Sequence, residues 1–503
     1  MIYAESRERL LKIGRPASLT LSAVLLGSAG AATVLAGIQV AIGGTRGFVV
    51  AISALLAVVL GVVTLLRPAV GGLILVGVVP VVSGLRRGLP VPGFRLSEIL
   101  IAYLATIILV TAKPEQRRPW GAFDWVALSY ALMIGVFGAY DLLLLRLPFT
   151  SDSVGKIASP LQFFLLYRAV ATSCTSIVGR RRALRLVLFT SVPLAVLGIL
   201  QELNVGSIRT FLTRITGVKV GDVSLDPGFV LGSRATGPFP QWHTFGGYLF
   251  LTILLGVGLL LKGSRDIASK KTIALILVVC IGALFATLTV TPIVATLVGV
   301  VLLGAWTRTF GRILVLLGVG AVLAVAVFGT KLEHRYDTQL AGLGAGTSQL
   351  AAPQTLSFRL QVWKDQYLPL LHGRALATGY GPVLPPDFGI TWQYTESIYL
   401  TMLLKGGIPL LLMYCLLMFV LAARARRVAY ENDHDRQILG RVVFVAIILL
   451  VFMHLVSAYF LTSGLPHLLW AMAGLLYAGS ISAQRRLPSP SGHPALRPSG
   501  AIG

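Results

Sequence analysis

Three polar stretches in a largely apolar chain carry the residue types that could do chemistry. "GSRATGPFPQWHTFGGYLF" (232–250) places Arg234, Trp242 and His243 where a turn broken by glycine and proline enters an apolar run. "SFRLQVWKDQYLPLLHGRALATGYGP" (357–382) brings Arg359 and Trp363, and "TWQYTESIYLTMLLKGG" (391–407) brings Glu396, Ser397 and Tyr399 to the mouth of another apolar run. An arginine is a planar fork of donors that grips phosphate in two places and keeps its charge. A carboxylate in a partly dry pocket can act as a general base. Two arginines and one acid therefore suit a lipid diphosphate, the cations steadying the departing phosphate charge while Glu396 takes a proton from an attacking hydroxyl. The same residues also have a structural reading: an arginine at headgroup level contacts lipid phosphate, and a glutamate at a helix start is favoured by the helix dipole.

These stretches must be positioned by membrane helices. The chain has 503 residues, 55% of them hydrophobic and only 12% charged, with a mean hydropathy of +0.82. Soluble domains carry about 25% charged residues. Apolar stretches recur from Leu19 to Ser480, and about 20 such residues cross a bilayer as a helix. The pattern predicts an all-α polytopic integral membrane protein with about 12–14 transmembrane helices. Spans are expected near 18–42, 48–66, 69–84, 96–112, 122–145, 158–177, 184–204, 241–262, 272–289, 291–306, 313–329, 397–421, 440–461 and 464–480.

The organisation expected is a cytoplasmic N-terminus (1–17), transmembrane helices over 18–329 with an outer loop at about 205–240, a large extracytoplasmic loop (330–396), transmembrane helices over 397–480 and a disordered cytoplasmic tail (481–503). The first apolar run is too long for a signal-peptide core and reads as a retained helix. "KPEQRRP", "GRRRALR", "KGSRDIASKK", "TRTFGR" and "RARRVAYENDHDRQ" read as cytoplasmic breaks. They hold much of the chain's 43 Lys and Arg. "GLRRGLP", with Arg86 and Arg87, falls on the outer side and is the one clash. Both long loops fall on that outer face, and 357–373 keeps helical spacing through Phe358, Val362, Tyr367 and Leu368, as an amphipathic helix on the outer membrane surface would. Glu98, Asp124, Asp141, Arg168 and Glu202 lie in or beside spans, where charge is expensive. Arg168 is the deepest, and a neighbouring helix is expected to supply its acidic partner.

The net charge of +24 gathers at the ends of apolar runs. That pattern orients helices and meets anionic headgroups, and gives no reason to expect nucleic acid as a partner. The three cysteines, Cys174, Cys280 and Cys415, are far apart inside apolar runs and read as packing residues.

The chain resembles the O-antigen ligase and O-antigen polymerase family, bacterial envelope transferases whose donors are glycans linked to polyprenyl pyrophosphate such as undecaprenyl pyrophosphate. "SRATGPFPQWHTFGGYL", "SFRLQVWKDQYLPLLHGRALATGYGP" and "ESIYLTMLLKGGIPLLL" carry the resemblance, with "FRLSEILIAYL" a weaker fourth match. It implies a GT-C-type fold, an inverting, metal-independent glycosyltransferase with no cofactor, and a multi-pass protein of the inner membrane with cytoplasmic termini and an extracytoplasmic active site. Arg234 and Arg359 then hold the donor pyrophosphate and Glu396 completes the catalytic set. His243, Trp242, Trp363, Tyr399 and Ser397 are the substrate-binding candidates, and partners are the lipid-linked glycan donor, a glycan or lipid acceptor and membrane lipids. Family ligases generally carry histidine where this chain has Glu396, so the polymerase branch fits better; His243 lies in a different segment. Lys405 stands where the family usually has an acidic or neutral residue.

The rival reading is a flippase or transporter of lipid-linked oligosaccharide, which would show two related halves and polar residues at the bilayer centre. Neither pattern is visible here. A polyprenyl-phosphate-sugar transferase would place acids in its first outer loop, and "GGTRG" has none.

Overall fold

The computed structural model describes residues 55–88, 94–114, 116–144, 150–217, 234–263, 266–309, 354–381, 395–461 and 463–478, with isolated positions between these stretches. The expected spans at 18–42 and 313–329, the N-terminal segment, the glycine-rich start of the large loop and the C-terminal tail lie wholly or mostly outside them.

In chain order the helices are α1 (Leu55–Leu66), α2 (Pro68–Gly77), α3 (Val79–Val82), α4 (Leu96–Thr111), α5 (Ala122–Leu144), α6 (Ser151–Ser173), α7 (Ile177–Glu202), α8 (Ile208–Thr216), α9 (Trp242–Lys262), α10 (Lys270–Ala286), α11 (Val290–Thr307), α12 (Gln354–Val362), α13 (Arg374–Thr378), α14 (Ile398–Val428), α15 (His434–Val456) and α16 (Leu465–Tyr477). The protein is all-helical and polytopic. Among the described residues six helices, α5, α7, α9, α11, α14 and α15, are long and apolar enough to cross a membrane, and α1, α2, α4 and α16 are shorter apolar helices.

α9 is the central helix. It is buried along almost its whole length between α10, α11 and α15. Gly247 lets α9 approach its neighbours near its first turns: a Cβ there would stand 2.9 Å from Leu465 and 3.1 Å from Tyr459. α6 packs between α4, α5 and α16, and α14 pairs with both α5 and α15.

Several boundaries differ from the expected ones, through local caps in some places and partners remote in sequence in others. α6 begins at Ser151, not near 158, because Thr150 caps it by accepting from the Ser153 N–H at 3.1 Å. "GRRRALR", expected as a break, is the start of α7: Ser176 caps it, Arg180 pairs with Asp433 and Arg181 with Asp435. The expected span at 69–84 is broken at Val78 into α2 and the single turn α3. The loop at 205–240 contains α8, which was not anticipated.

The segment expected as a surface-lying amphipathic helix is only partly one. It is α-helical to Val362, widens to π geometry over Trp363–Tyr367 and tightens to a 3₁₀ turn over Leu368–Leu370. The change of pitch rotates the apolar residues off one stripe. Val362 and Tyr367 turn inward onto Leu400 and Leu404 of α14, while Phe358 and Leu368 stay exposed.

α14 is broken at Gly406 and Gly407, whose backbones leave the helical region. The loop docks into this break. Tyr380 N–H donates to the Leu404 carbonyl at 2.6 Å, and a Cβ on Gly407 (φ +65) would stand 2.5 Å from the Leu376 carbonyl oxygen. Arg374 adds an ion pair to the fully buried Asp141 of α5 at 2.7 Å.

Candidate active site at one end of the bundle

The starts of α9, α14 and α16, the end of α15 and the loop carrying α12 and α13 meet at one end of the bundle. "GLRRGLP" is at this end too: Arg86 N–H donates to the Ile215 carbonyl at 2.9 Å, and Arg87 pairs with Glu98 at 2.6 Å. The charge clash in the sequence is therefore a real feature of this end.

The Arg234 segment is held from three directions. The Gln201 carboxamide oxygen accepts from Thr236 N–H and Gly237 N–H, both at 2.9 Å, and its nitrogen donates to Thr236 Oγ1 at 3.0 Å. Ala235 N–H donates to the Ala286 carbonyl at 3.0 Å. Phe239, fully buried, stacks on Phe245 with centroids 5.8 Å apart. Gly237 (φ +53) supplies the left-handed turn that a side chain would strain. Arg234 emerges from this brace with its guanidinium 4.9 Å from the centre of the Trp242 ring.

Arg359 arrives from α12 and meets Glu396. Nε and Nη2 of Arg359 both donate to Glu396 Oε2, at 3.4 and 3.3 Å. Both side chains keep partial access to solvent, 25% for Arg359 and 20% for Glu396. Glu396 has φ +52, a backbone that costs a non-glycine residue about 1–3 kcal/mol and persists only where the surroundings enforce it. One enforcing contact is Trp363, whose Nε1–H donates to the Thr395 carbonyl at 2.6 Å.

His243, in the first turn of α9, joins the two halves. It stands within electrostatic range of both Arg234 and Arg359 and packs edge-on against Tyr459, centroids 5.7 Å apart. Tyr459 lies within electrostatic reach of Arg359 and Glu396 and is hydrogen-bonded with Thr291. Tyr367 lies within electrostatic reach of the carboxylate: burial first, and then the charge of Glu396, push its hydroxyl up to about 12.

The structure thus brings Arg234, Trp242, His243, Arg359 and Glu396 together. The other three candidates do different work. Ser397 is buried with its hydroxyl on the His454 carbonyl at 3.4 Å, and Tyr399 donates to the Val451 carbonyl at 2.7 Å, so both hydroxyls tie α14 to α15. Trp363 uses its indole N–H as the brace just described. Sequence reading missed Gln201 and Tyr459. Nothing in "ILQELN" or "SAYFLT" marks either one, because each matters through a segment far away in the chain.

Asp124, Arg168 and Glu98 are paired within the fold. Arg168 Nη1 donates to Asp124 at 2.8 Å, an acid on the neighbouring helix as expected. Glu98 accepts from Arg95 N–H at 2.9 Å as well as from Arg87.

The fold defines a polytopic all-α membrane protein with a cationic, carboxylate-bearing site at one end. Residues 275–415 match the family model described as O-antigen ligase, and this stretch of the chain is similar to that family. The matched segment holds Arg359 and Glu396, while Arg234 and His243 come from outside it. No curated protein matches the chain.

Proposed function

We propose that the protein is a glycosyltransferase that transfers or polymerises polyprenyl-pyrophosphate-linked glycan, working at the outer face of the bacterial inner membrane with both termini in the cytoplasm. The observation that carries this reading is the meeting of Arg359 and Glu396 beside His243, on the side to which the braced Arg234 is also turned.

In this reading the donor diphosphate enters between Arg234 and Arg359. The Arg359–Glu396 contact, at 3.3 Å, is longer than a tight charge-assisted bond of about 2.7–2.9 Å. Arg359 exchanges the carboxylate for phosphate oxygens, which releases Glu396 towards the acceptor. Glu396 takes the proton of the acceptor hydroxyl as its oxygen attacks the anomeric carbon from the face opposite the diphosphate. The carbon–oxygen bond to phosphate breaks with inversion, and the two guanidinium groups receive the charge on the leaving diphosphate. The rigid support of Arg234 limits the entropy lost on binding. Trp242 offers an aromatic face for a sugar.

Glu396 in place of a histidine favours the polymerase branch. His243 offers a second group at the same spot despite its different segment, and this keeps transfer onto a lipid acceptor as the alternative.

The test is the lipid-linked glycan that accumulates in a deletion strain complemented with variants. Polymerase action predicts single repeat units on the carrier with Arg234→Ala, Arg359→Ala or Glu396→Gln. Long unattached chains would instead identify ligation, and glycan trapped on the cytoplasmic leaflet would identify a flippase and refute the transferase reading.

A further inference from the structure

At the opposite end of the bundle, between α4, the loop leading into α5 and the far end of α6, lies an open cleft of about 590 Å³ lined by Arg117, Arg118, Arg168, Trp120, Phe164 and Leu109 among others. We propose that this cleft binds the phosphate-bearing headgroup of an anionic glycerophospholipid from the adjacent leaflet. The inference requires only that the chain spans a bilayer and does not depend on the reading of the other end.

The argument starts from charge. Three guanidinium groups line the cleft, and among the described residues Asp124 is the carboxylate paired with two of them, Arg118 at 3.0 Å and Arg168 at 2.8 Å. Asp124 is also saturated. Besides those two arginines it accepts from Gly121 N–H at 2.7 Å and from the Tyr167 hydroxyl at 2.9 Å. One acid thus fixes two cations and leaves the cleft with an excess of positive charge. Arg118 is further locked by stacking 4.0 Å over the Tyr477 ring. Arg117, the exposed member, uses Nε–H on the Ala112 carbonyl at 3.1 Å. Guanidinium forks held in this way are preorganised for phosphate oxygens.

The walls decide in favour of a lipid over a free anion. Leu109 and Phe164 make an apolar side. Trp120 stands at the cleft 46% exposed, packed against Trp125, which is 59% exposed, with ring centroids 4.7 Å apart. Neighbouring exposed indoles at a helix start are the signature of the membrane interface. The Arg168 guanidinium sits 5.3 Å from the Trp120 ring. A headgroup phosphate among the arginines would leave its glycerol and acyl chains to run over Trp120 and Phe164 into the hydrocarbon. Basic pockets between transmembrane helices recognise acidic lipids by this division of labour.

The test uses the full-length protein, delipidated and then titrated with phosphatidylglycerol, phosphatidylcholine or inorganic phosphate, with native mass spectrometry as the readout. The expected result is retention of phosphatidylglycerol about tenfold above phosphatidylcholine. Arg117→Gln and Trp120→Ala, which leave the Asp124 cluster intact, are each expected to lower that retention several-fold with no change in melting temperature. Equal retention of the two lipids, unchanged retention in both variants, or displacement of phosphatidylglycerol by equimolar inorganic phosphate would each overturn the proposal.

Discussion

At one end of the bundle Asp124, Asp433, Asp435 and Glu431 pair with arginines from neighbouring turns and from other helices: Arg118 and Arg168, Arg180, Arg181, and Arg436 with Arg424. At the other end Arg359 shares a carboxylate at 3.3 Å while Arg234 faces an indole. The first arrangement pairs most of its arginines with acids of the fold, which makes the helix ends coherent, and keeps positive charge to spare around Asp124. The second holds its charges on braced supports and leaves the Arg359–Glu396 pair partly open to solvent. The same residue type is thus matched by buried acids at one end and by a single, partly exposed carboxylate at the other, where the proposed function gives it a diphosphate to hold.

The two ends are expected to fail differently when broken. The largest effect is expected from Asp124→Ala, which strands Arg118 and Arg168 in a buried setting. Losing one partner of such a cluster costs about 3–5 kcal/mol, read as a large drop in melting temperature and in yield. Arg234→Ala and Arg359→Ala should leave the melting temperature near that of the parent and lower glycan transfer by about 100–1,000-fold, as removal of a transition-state donor does. Parental activity in both would break the comparison outright.

A smaller effect is expected at Gln201→Leu, which leaves the Thr236 and Gly237 amides without their acceptor at about 1–3 kcal/mol. Its informative readout is donor affinity, which should weaken more than turnover because Arg234 loses its support while Glu396 does not. The smallest belongs to Asp266→Ala, whose pairing with Arg181 is exposed on the acid's side at 65%. Its removal should change stability by no more than about 1 kcal/mol.

How much of this was legible beforehand depended on whether a feature is local. α4, α5, α9, α10 and α11 fall within a few residues of the apolar runs, because an uninterrupted hydrophobic run leaves the backbone only one way to satisfy itself in a bilayer. The starts of α6, α7 and α15 were misplaced for the opposite reason. Their first turns are polar, and what keeps "GRRRALR" helical is a set of acids more than 250 residues away in sequence: Asp433 and Asp435 lie 253 and 254 residues from the arginines they bind. The residue types of the candidate site were readable from chemistry, and so was the arginine that Asp124 receives. The bracing by Gln201, the nearness of Tyr459 and the loss of Ser397 and Tyr399 to helix–helix contacts were not, since each is a distance between segments that no local pattern encodes.

The interruption at Gly406 and Gly407 separates residues 398–405 from the long remainder of α14. The short piece follows directly on Glu396 and is gripped by the loop through the bond between Tyr380 and Leu404. It is therefore held by the loop on one side and, through Tyr399, by α15 on the other. A bulkier residue at 407 would press on the Leu376 carbonyl without touching Arg234, Arg359 or Glu396, so under the proposed function its effect on turnover would report how the break seats the carboxylate.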